Sequence, residues 1–244
     1  PAHKDNGKTE GQDVSEKKEA IPSTFTVIRI VWLFLTAKVV TSVANAMAAA
    51  ALPLILKNTY GLDEKALGFT MSAMSGFNAI VNGLFLAPIV GLAGGDLKLV
   101  IGACIFTMCI ASALQAAVAL PNLVAVSPFP GEGFGEFLTM TFLLSMLQYV
   151  LGTTITGEST ARVGSLAKGT LLGLEHSLFA AARVIAPQTG VMLLKSGGVS
   201  AVSMACSSVF AAVFVLWRTC SRDTGKAQLS SGALAVKIDE RKEK

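Results

Sequence analysis

Residues 27–56 read VIRIVWLFLTAKVVTSVANAMAAAALPLIL, and only Arg29 and Lys38 in this stretch carry a charge. An α-helix rises about 1.5 Å per residue and the hydrocarbon core of a bilayer is about 30 Å thick, so roughly 20 apolar residues suffice to cross it. The stretch is long enough to begin at the membrane surface and then to span the membrane. It therefore predicts a transmembrane helix.

Five further stretches pass the same test, at about 67–92, 99–120, 137–155, 170–194 and 199–217. The whole chain is 52% apolar and 15% charged, with a mean hydropathy of +0.60. A soluble domain carries about 25% charged residues. Backbone polar groups in lipid must be satisfied within each segment, and these runs are longer than barrel strands. The sequence thus predicts an all-α integral membrane protein with six transmembrane helices over residues 25–217.

The polar flanks predict the orientation of this bundle in the lipid bilayer. Residues 1–24 form a polar arm, and residues 218–244 form a polar basic tail. With six spans, fifteen of the twenty Lys and Arg residues lie on the side that both termini share, against three on the other side. Basic residues favour the cytoplasmic side. We therefore expect a multi-pass protein with both termini in the cytoplasm.

Several classes of protein and site are disfavoured. The four cysteines have neither disulfide-framework nor metal-ligand spacing, and the chain has only two histidines. No nucleotide-binding motif is present, so no metal, cofactor or ATP-driven step is expected. Basic residues are not interleaved with aromatics on one face, so nucleic acid is not an expected partner. The net charge of +4 is explained by orientation in the membrane instead.

Two local patterns resemble the major facilitator superfamily of transporters. The first is the junction of the first two spans, with Leu52-Pro53-Leu54-Ile55-Leu56, then Tyr60-Gly61-Leu62, then Gly68. The second lies in the fifth span and consists of Gly173, Ser177, Arg183, Pro187 and Gly190. The second pattern is similar to the drug–proton antiporter and organic-cation-transporter-like branch. The chain departs from the family after the second span, where the basic residues of a cytoplasmic motif are reduced to Lys98.

This resemblance implies a fold, a function and partners. The chain would be the carboxyl-terminal six-helix half of a transporter, built as two inverted three-helix repeats. Residues 1–24 would belong to the central loop of a larger protein. The function implied is secondary active or facilitative transport of a small-molecule substrate by alternating access, with a proton as the candidate coupling ion. The missing amino-terminal half, or a second copy of the chain, would complete the carrier.

Polar residues within the spans are candidates for the cavity wall. Lys38, Ser42 and Asn45 fall within about 60° of one another on a helix, which makes one polar stripe. The full set of candidate cavity-lining residues is Lys38, Thr41, Ser42, Asn45, Asn78, Asn82, Gln148 and Thr153. Lys38 has an alternative role, in which its ammonium group reaches back to the lipid headgroups. Asn78 and Asn82 also have an alternative role, in which they form hydrogen bonds between helices.

The fifth span carries three more titratable groups, Glu175, His176 and Arg183. An ionisable group inside a bilayer costs at least ~2.5–3.5 kcal/mol, so each needs a functional or structural reason. As a proton or charge relay, Glu175 or His176 would take up the proton and Arg183 would hold the counter-charge or an anionic group of the substrate. As a structural feature, Arg183 would fix this helix to the missing half.

Two other functions are alternatives to transport. A six-span receptor or assembly subunit that transports nothing would share the same composition. An intramembrane serine protease of the rhomboid type would need a nucleophile and a base, for which only Ser75 and His176 are candidates. The nucleophile must lie within hydrogen-bond reach of its base. Nothing in the sequence indicates that these two residues meet, so catalysis is not expected.

Overall fold

A computed structural model describes residues 24–92, 94–119, 133–163 and 165–242, without the side chains of residues 82, 85, 166 and 222–242. This part of the chain is almost entirely helical, apart from short turns between the helices, and contains no strand. Its helices are α1 (Thr24–Asn58), α2 (Glu64–Ile80), α3 (Leu86–Leu92), α4 (Leu97–Val118), α5 (Phe134–Arg162) and α6 (Lys168–Lys242). A π-helical turn, Val81–Phe85, joins α2 to α3, and a short 3-10 turn, Ser165–Ala167, precedes α6. The predicted arm lies outside the described residues except for Thr24.

Aspartates placed just outside the apolar runs start two of the helices. The carboxylate of Asp63 accepts a hydrogen bond from the amide of Ala66 at 2.8 Å, which caps α2. The carboxylate of Asp96 accepts one from the amide of Lys98 at 2.9 Å and caps α4. A side-chain acceptor at this position satisfies an amide that has no partner within the helix. The polar turns therefore set where these helices begin.

Four helices of the described chain are long and apolar enough to cross a membrane. They are α1, α4, α5 and residues 168–221 of α6. The predicted span at 67–92 is divided between α2, the π turn and α3, so no single α-helix covers it. The two spans predicted at 170–194 and 199–217 both lie within α6. The structure thus confirms an all-helical, membrane-type composition.

The long helix α6 is interrupted at a pair of glycines. Gly197 and Gly198 have non-helical backbone angles, and Gly198 has a φ of +67°. A positive φ is accessible to glycine with little strain. We call residues 168–196 α6a and residues 199–242 α6b. The contacts of these two segments with α1 show that the chain reverses direction at the glycine pair.

The reversal can be read from residue pairs along α1. On α6a, Glu175 contacts Lys38, and Gly190 lies against Met47, so α6a runs parallel to α1. On α6b the order is inverted. The ring of Trp217 packs 5.4 Å from that of Phe34, and Cys206 donates to the carbonyl of Ala44, so α6b runs antiparallel to α1.

The remaining helices alternate in the same way. Tyr60, just after α1, packs on Phe134 at the start of α5, whereas Lys38 contacts Thr156 near its end, so α5 is antiparallel to α1. Helix α4 is antiparallel to α5. Gln115 on α4 donates a hydrogen bond to Thr141 on α5, whereas Val118, at the end of α4, lies beside Gly133, just before the start of α5. Together with the short turn between α1 and α2, these contacts give helical segments that alternate in direction along the chain.

The turn after α1 is anchored by Tyr60, which lies between two phenylalanines. Its ring centroid is 5.1 Å from that of Phe134 and 5.3 Å from that of Phe137. Burial raises the pKa of Tyr60 above 10.0, and the nearby Glu136 carboxylate raises it further. The phenol is therefore neutral at physiological pH, and the turn packs on α5 as an uncharged aromatic cluster.

The main hydrophobic core lies between α1, α4, α5 and α6b. Its fully buried members include Ile101, Ile105, Met108, Leu151 and Phe210. A second, smaller cluster joins the start of α1 to the beginning of α6 and consists of Val27, Val31, Val163, Ala167 and Leu171. Helices α2 and α3 pack on one side only, and most of their residues are exposed. The core therefore holds five of the segments firmly and leaves α2–α3 at the edge.

Helix α1 approaches α6a most closely at Gly190. A Cβ atom at this position would collide with the backbone carbonyl of Met47, whereas one at Gly173 on the same helix would meet nothing within 4 Å. We predict that Gly190→Ala separates the two helices and destabilises the fold by about 1–3 kcal/mol, the usual range for overpacking. Gly173→Ala is the matched control and should have no such effect. The thermal unfolding midpoint in detergent measures the difference, and equal midpoints for the two variants would contradict the close contact.

Candidate functional site

A cavity of about 780 Å³ lies among α1, α2, α4, α5 and both segments of α6. Its volume is in the range of about 300–1,000 Å³ that is typical of small-molecule sites. On α1 it extends from Lys38 to Ile55, which is roughly 25 Å at the rise of an α-helix. The polar residues along its wall are Lys38, Ser42, Asn45, Ser75, Asn78, Ser112, Gln115, Thr141, Ser145, Gln148, Tyr149, Thr153, Thr156, Arg183 and Ser203.

One end of the cavity is organised around a buried ion pair. The ammonium of Lys38 on α1 contacts the Glu175 carboxylate on α6a, and the two residues are 8% and 3% exposed. The same ammonium donates to the Thr156 hydroxyl on α5 at 2.5 Å, and it lies 5.3 Å from the centre of the Phe179 ring. A buried charge is stable only when paired and hydrogen-bonded. Lys38 therefore ties three helices together at this end.

Arg183 lies on the cavity wall eight residues beyond Glu175, about 12 Å further along α6a. It is an exposed residue, and it has no hydrogen-bond or ion-pair partner among the described residues. His176 is also exposed, but it does not line the cavity. Of the three predicted relay residues, the structure brings Glu175 to Lys38 and leaves Arg183 and His176 apart from that pair.

The middle of the cavity is lined by uncharged polar groups of α1 and α5. The Gln148 side-chain amide donates to the Ser42 hydroxyl at 3.3 Å. Asn45 lines the wall, and so does Thr153, whose hydroxyl donates to the carbonyl of Tyr149. These four predicted residues therefore face one space. They join the charged end of the cavity to an end where amide side chains dominate.

The amide end is a network across four segments. Asn78 on α2 donates to Ser145 on α5 at 2.6 Å, while Gln115 on α4 donates to Thr141 on α5 at 2.8 Å. Ser203 on α6b donates to the carbonyl oxygen of Gln115 at 3.2 Å. Two buried oxygens at this end, Asn78 Oδ1 and Ser112 Oγ, lack a partner among the described residues, as does Gln148 Oε1 in the middle of the cavity. This end therefore retains unused hydrogen-bonding capacity.

Two predicted cavity residues do not contribute to the described wall. Thr41 is fully buried against its neighbours, and its hydroxyl donates back to the carbonyl of Ala37 at 2.8 Å. It lies on the side of α1 that packs in the core, so it does not line the cavity. The side chain of Asn82 lies outside the described residues. Its backbone belongs to the π turn that interrupts the second predicted span.

Sequence reasoning missed some groups that the fold brings to the site. The contact of Thr156 with Lys38 spans 118 residues of sequence and has no local signature. Gln115 is the one amide side chain in the apolar helix α4. The structure places it on the cavity wall, where it bonds Thr141 and Ser203. A single amide in an apolar helix is a usable signal, because it needs partners on its neighbours.

Comparison with known proteins adds no assignment. No protein-family model, curated protein or solved structure matches this chain. Within the described residues, no group of three or more His, Cys, Asp or Glu is placed to hold a metal ion. The function must therefore be argued from the cavity and from the direction of the helices.

The Lys38–Glu175 pair yields a stability prediction. Removing one partner leaves a buried, unpaired charge, so we expect Lys38→Met alone to destabilise the protein by about 3–5 kcal/mol. The double variant Lys38→Met/Glu175→Leu removes both charges and should recover most of that loss, because buried ion pairs often exchange neutrally for apolar residues. Denaturant unfolding in detergent measures both changes.

The partly buried pair of Glu158 with Arg162 provides the comparison for this experiment. These residues lie one turn apart on α5, joined at 2.7 Å, and glutamine can keep an acceptor at this place, so Glu158→Gln should cost about 1 kcal/mol, less than Lys38→Met. If the single variant Lys38→Met were as stable as the native chain, the ion pair would not be part of the folded structure.

Proposed function

We propose that this chain is one half of a secondary carrier, which moves a small solute across a membrane by alternating access. The observation that carries the proposal is the cavity itself, an open space among helices of membrane-spanning composition that is lined by amides, hydroxyls and two cations. A packed bundle with only a structural role has no need of such a space. Ionisable residues within a membrane are rare and typically mark substrate or ion pathways.

The proposal includes six crossings of the membrane. In addition to α1, α4 and α5, the segments α6a and α6b would each cross, and α2, its π turn and α3 would together form the remaining span. The alternating direction of these segments supports this arrangement. Residues 64–92 span roughly 40 Å at helical rise, which is more than the thickness of the hydrocarbon core.

The contact pattern supports an inverted repeat of three helices. If α1, α2–α3 and α4 form the first repeat, then α5, α6a and α6b form the second, and it starts in the opposite direction. The contact of α1 with α6b, through Ala44 and Cys206, corresponds to the contact of α5 with α4, through Thr141 and Gln115. Likewise, the α1–α6a contact corresponds to the α5–α2 contact through Ser145 and Asn78. This exchange symmetry is typical of carriers that rock about a central site.

The resemblance to the major facilitator superfamily supports the same proposal from independent residues. Gly190, which belongs to the motif of the fifth span, is where α6a meets the backbone of α1. Arg183, from the same motif, lines the cavity. Under this proposal both termini are cytoplasmic, and the second half of the carrier is another bundle or a second copy of the chain.

The alternative of an intramembrane protease has less support. The hydroxyl of Ser75 lies on the cavity wall and donates to the carbonyl of Met71, whereas His176 is exposed and does not line the cavity. The two side chains share no hydrogen bond among the described contacts. A receptor or assembly subunit remains the second candidate, and the experiment that follows separates it from a carrier.

Alternating access predicts that a residue inside the cavity meets water from each side of the membrane in turn. We expect Asn45→Cys to react with a membrane-impermeant maleimide from both sides of oriented vesicles that contain the full chain. Cys109, Cys206 and Cys220 should first be replaced by serine, the second because it lines the same cavity, while Cys104 can stay because it is buried and does not line the cavity. Val184→Cys, on the exposed apolar side of α6a, is the control and should react from neither side. Labelling of Asn45→Cys from one side only would support a receptor or static subunit.

The same readout tests whether Glu175 carries a proton. The group that contacts its carboxylate is the ammonium of Lys38 on α1, which also donates to Thr156 on α5, while His176 and Arg183 on its own helix lie apart from this pair. Neutralising the carboxylate releases Lys38 from its partner, so Glu175→Gln should shift the two-sided labelling of Asn45→Cys in the direction that low pH produces. It should also abolish the pH dependence of that labelling. Glu158→Gln is the control and should preserve it, and a pH response that persists in Glu175→Gln would remove Glu175 from the relay.

A further inference from the structure

The charges on the cavity wall are of one sign. Among the described residues, Lys38 and Arg183 are the ionisable groups with a charge at neutral pH that line the cavity, and both are cations. Glu175, whose carboxylate contacts Lys38, is not part of the wall and is 3% exposed. The cavity therefore presents positive charge to a ligand, and no described carboxylate on its wall would attract a cation.

The two cations differ in the number of ion-pair and hydrogen-bond partners that they have. The ammonium of Lys38 is paired with Glu175 and donates to Thr156. Together Lys38 and Glu175 are electrically neutral. Arg183 has no such partner among the described residues and is exposed to the cavity. The uncompensated charge of the cavity is thus the guanidinium of Arg183.

The depth of Arg183 makes this charge significant. It lies 15 residues after the start of α6a and 13 before the end, so either end is roughly 20 Å away at helical rise. That is more than half the thickness of the hydrocarbon core, so lipid headgroups are distant from it. A guanidinium has five donors in a planar fork that matches a carboxylate or phosphate group. An anion brought into the cavity would supply both the missing charge and the missing acceptors.

Resting on the proposed function, we propose that the cavity binds an amphipathic organic monoanion, with its anionic group on Arg183. The remaining wall fits the apolar body of such a ligand. Phe179 lies one turn before Arg183 on the same helix, and Met71, Met74 and Phe210 line the wall further along. Amides such as Gln148, which has an unpartnered carbonyl oxygen, would accept hydrogen bonds from any donor on that body. The ligand class is thus opposite in charge to the organic cations of the transporter branch that the sequence resembles.

Three probes with one apolar body and different charge test this assignment. Binding of naphthoate, naphthylmethanol and naphthylmethylammonium to the purified full chain in detergent is measured by calorimetry near neutral pH. We expect naphthoate to bind about ten-fold more tightly than the alcohol, because it forms a charge-assisted pair with Arg183, and the ammonium to bind most weakly. Arg183→Gln should reduce the affinity for naphthoate to that for the alcohol and leave the affinity for the alcohol unchanged. Arg183→Lys should retain part of the preference, since it keeps the charge without the fork.

Arg218→Gln is the matched control, because Arg218 is an exposed arginine on α6b that does not line the cavity. It should leave all three affinities unchanged. Equal binding of the three probes to the native chain, or a preference for naphthoate that survives Arg183→Gln, would overturn the proposal. Two-sided labelling of Asn45→Cys without any anion preference would reject the ligand class alone. One-sided labelling with the preference intact would reject transport and keep the anion site.

Discussion

The contact of α1 with α6a determines how the rest of the bundle is arranged. Two contacts along the helices fix it. One is the Lys38–Glu175 ion pair, and the other is the close approach of Gly190 to the backbone of Met47. The first is an electrostatic constraint, because neither charge can be left alone at this burial. The second is steric, because any side chain at Gly190 would force the helices apart. Both constraints require α6a to run parallel to α1, so the chain must reverse at Gly197 and Gly198 before α6b can pack.

The ion pair also determines the character of the cavity. Because Lys38 reaches across to α6a and α5, the wall at this level is built from three helices that cannot separate without exposing a charge to an apolar interior. The amide end has no such clamp. Its contacts are neutral hydrogen bonds such as Asn78 to Ser145, and bonds of this kind between helices are worth about 0.6 kcal/mol each in membranes. The edge formed by α2 and α3 is therefore held by weaker contacts than the interface of α1 with α6a.

The sequence predicts the helices well because their cause is local. The apolar stretch of α1 needs only length and composition to be recognised, and the stripe of Lys38, Ser42 and Asn45 follows from helical periodicity. The sequence does not predict which groups meet across helices. Lys38 and Glu175 are 137 residues apart, and no periodicity relates them. Thr41 is adjacent to the stripe, yet it is buried. A rotation of α1 about its own axis by less than about 100°, the angle between successive residues, is enough to decide which of these neighbouring side chains faces the core and which faces the cavity.

The glycines also show that the sequence does not predict which residues meet across helices. Gly173 and Gly190 belong to one motif on one helix, and the sequence offers no reason to separate them. In the fold only Gly190 lies against another backbone, while Gly173 faces open space. Small residues permit close helix packing wherever a neighbour is present. Gly173, like Gly68, Gly76 and Gly83 on the segment from α2 to α3, would permit the close approach of a further bundle. In the proposed carrier, a surface of this kind beside the cavity is where the second half would pack.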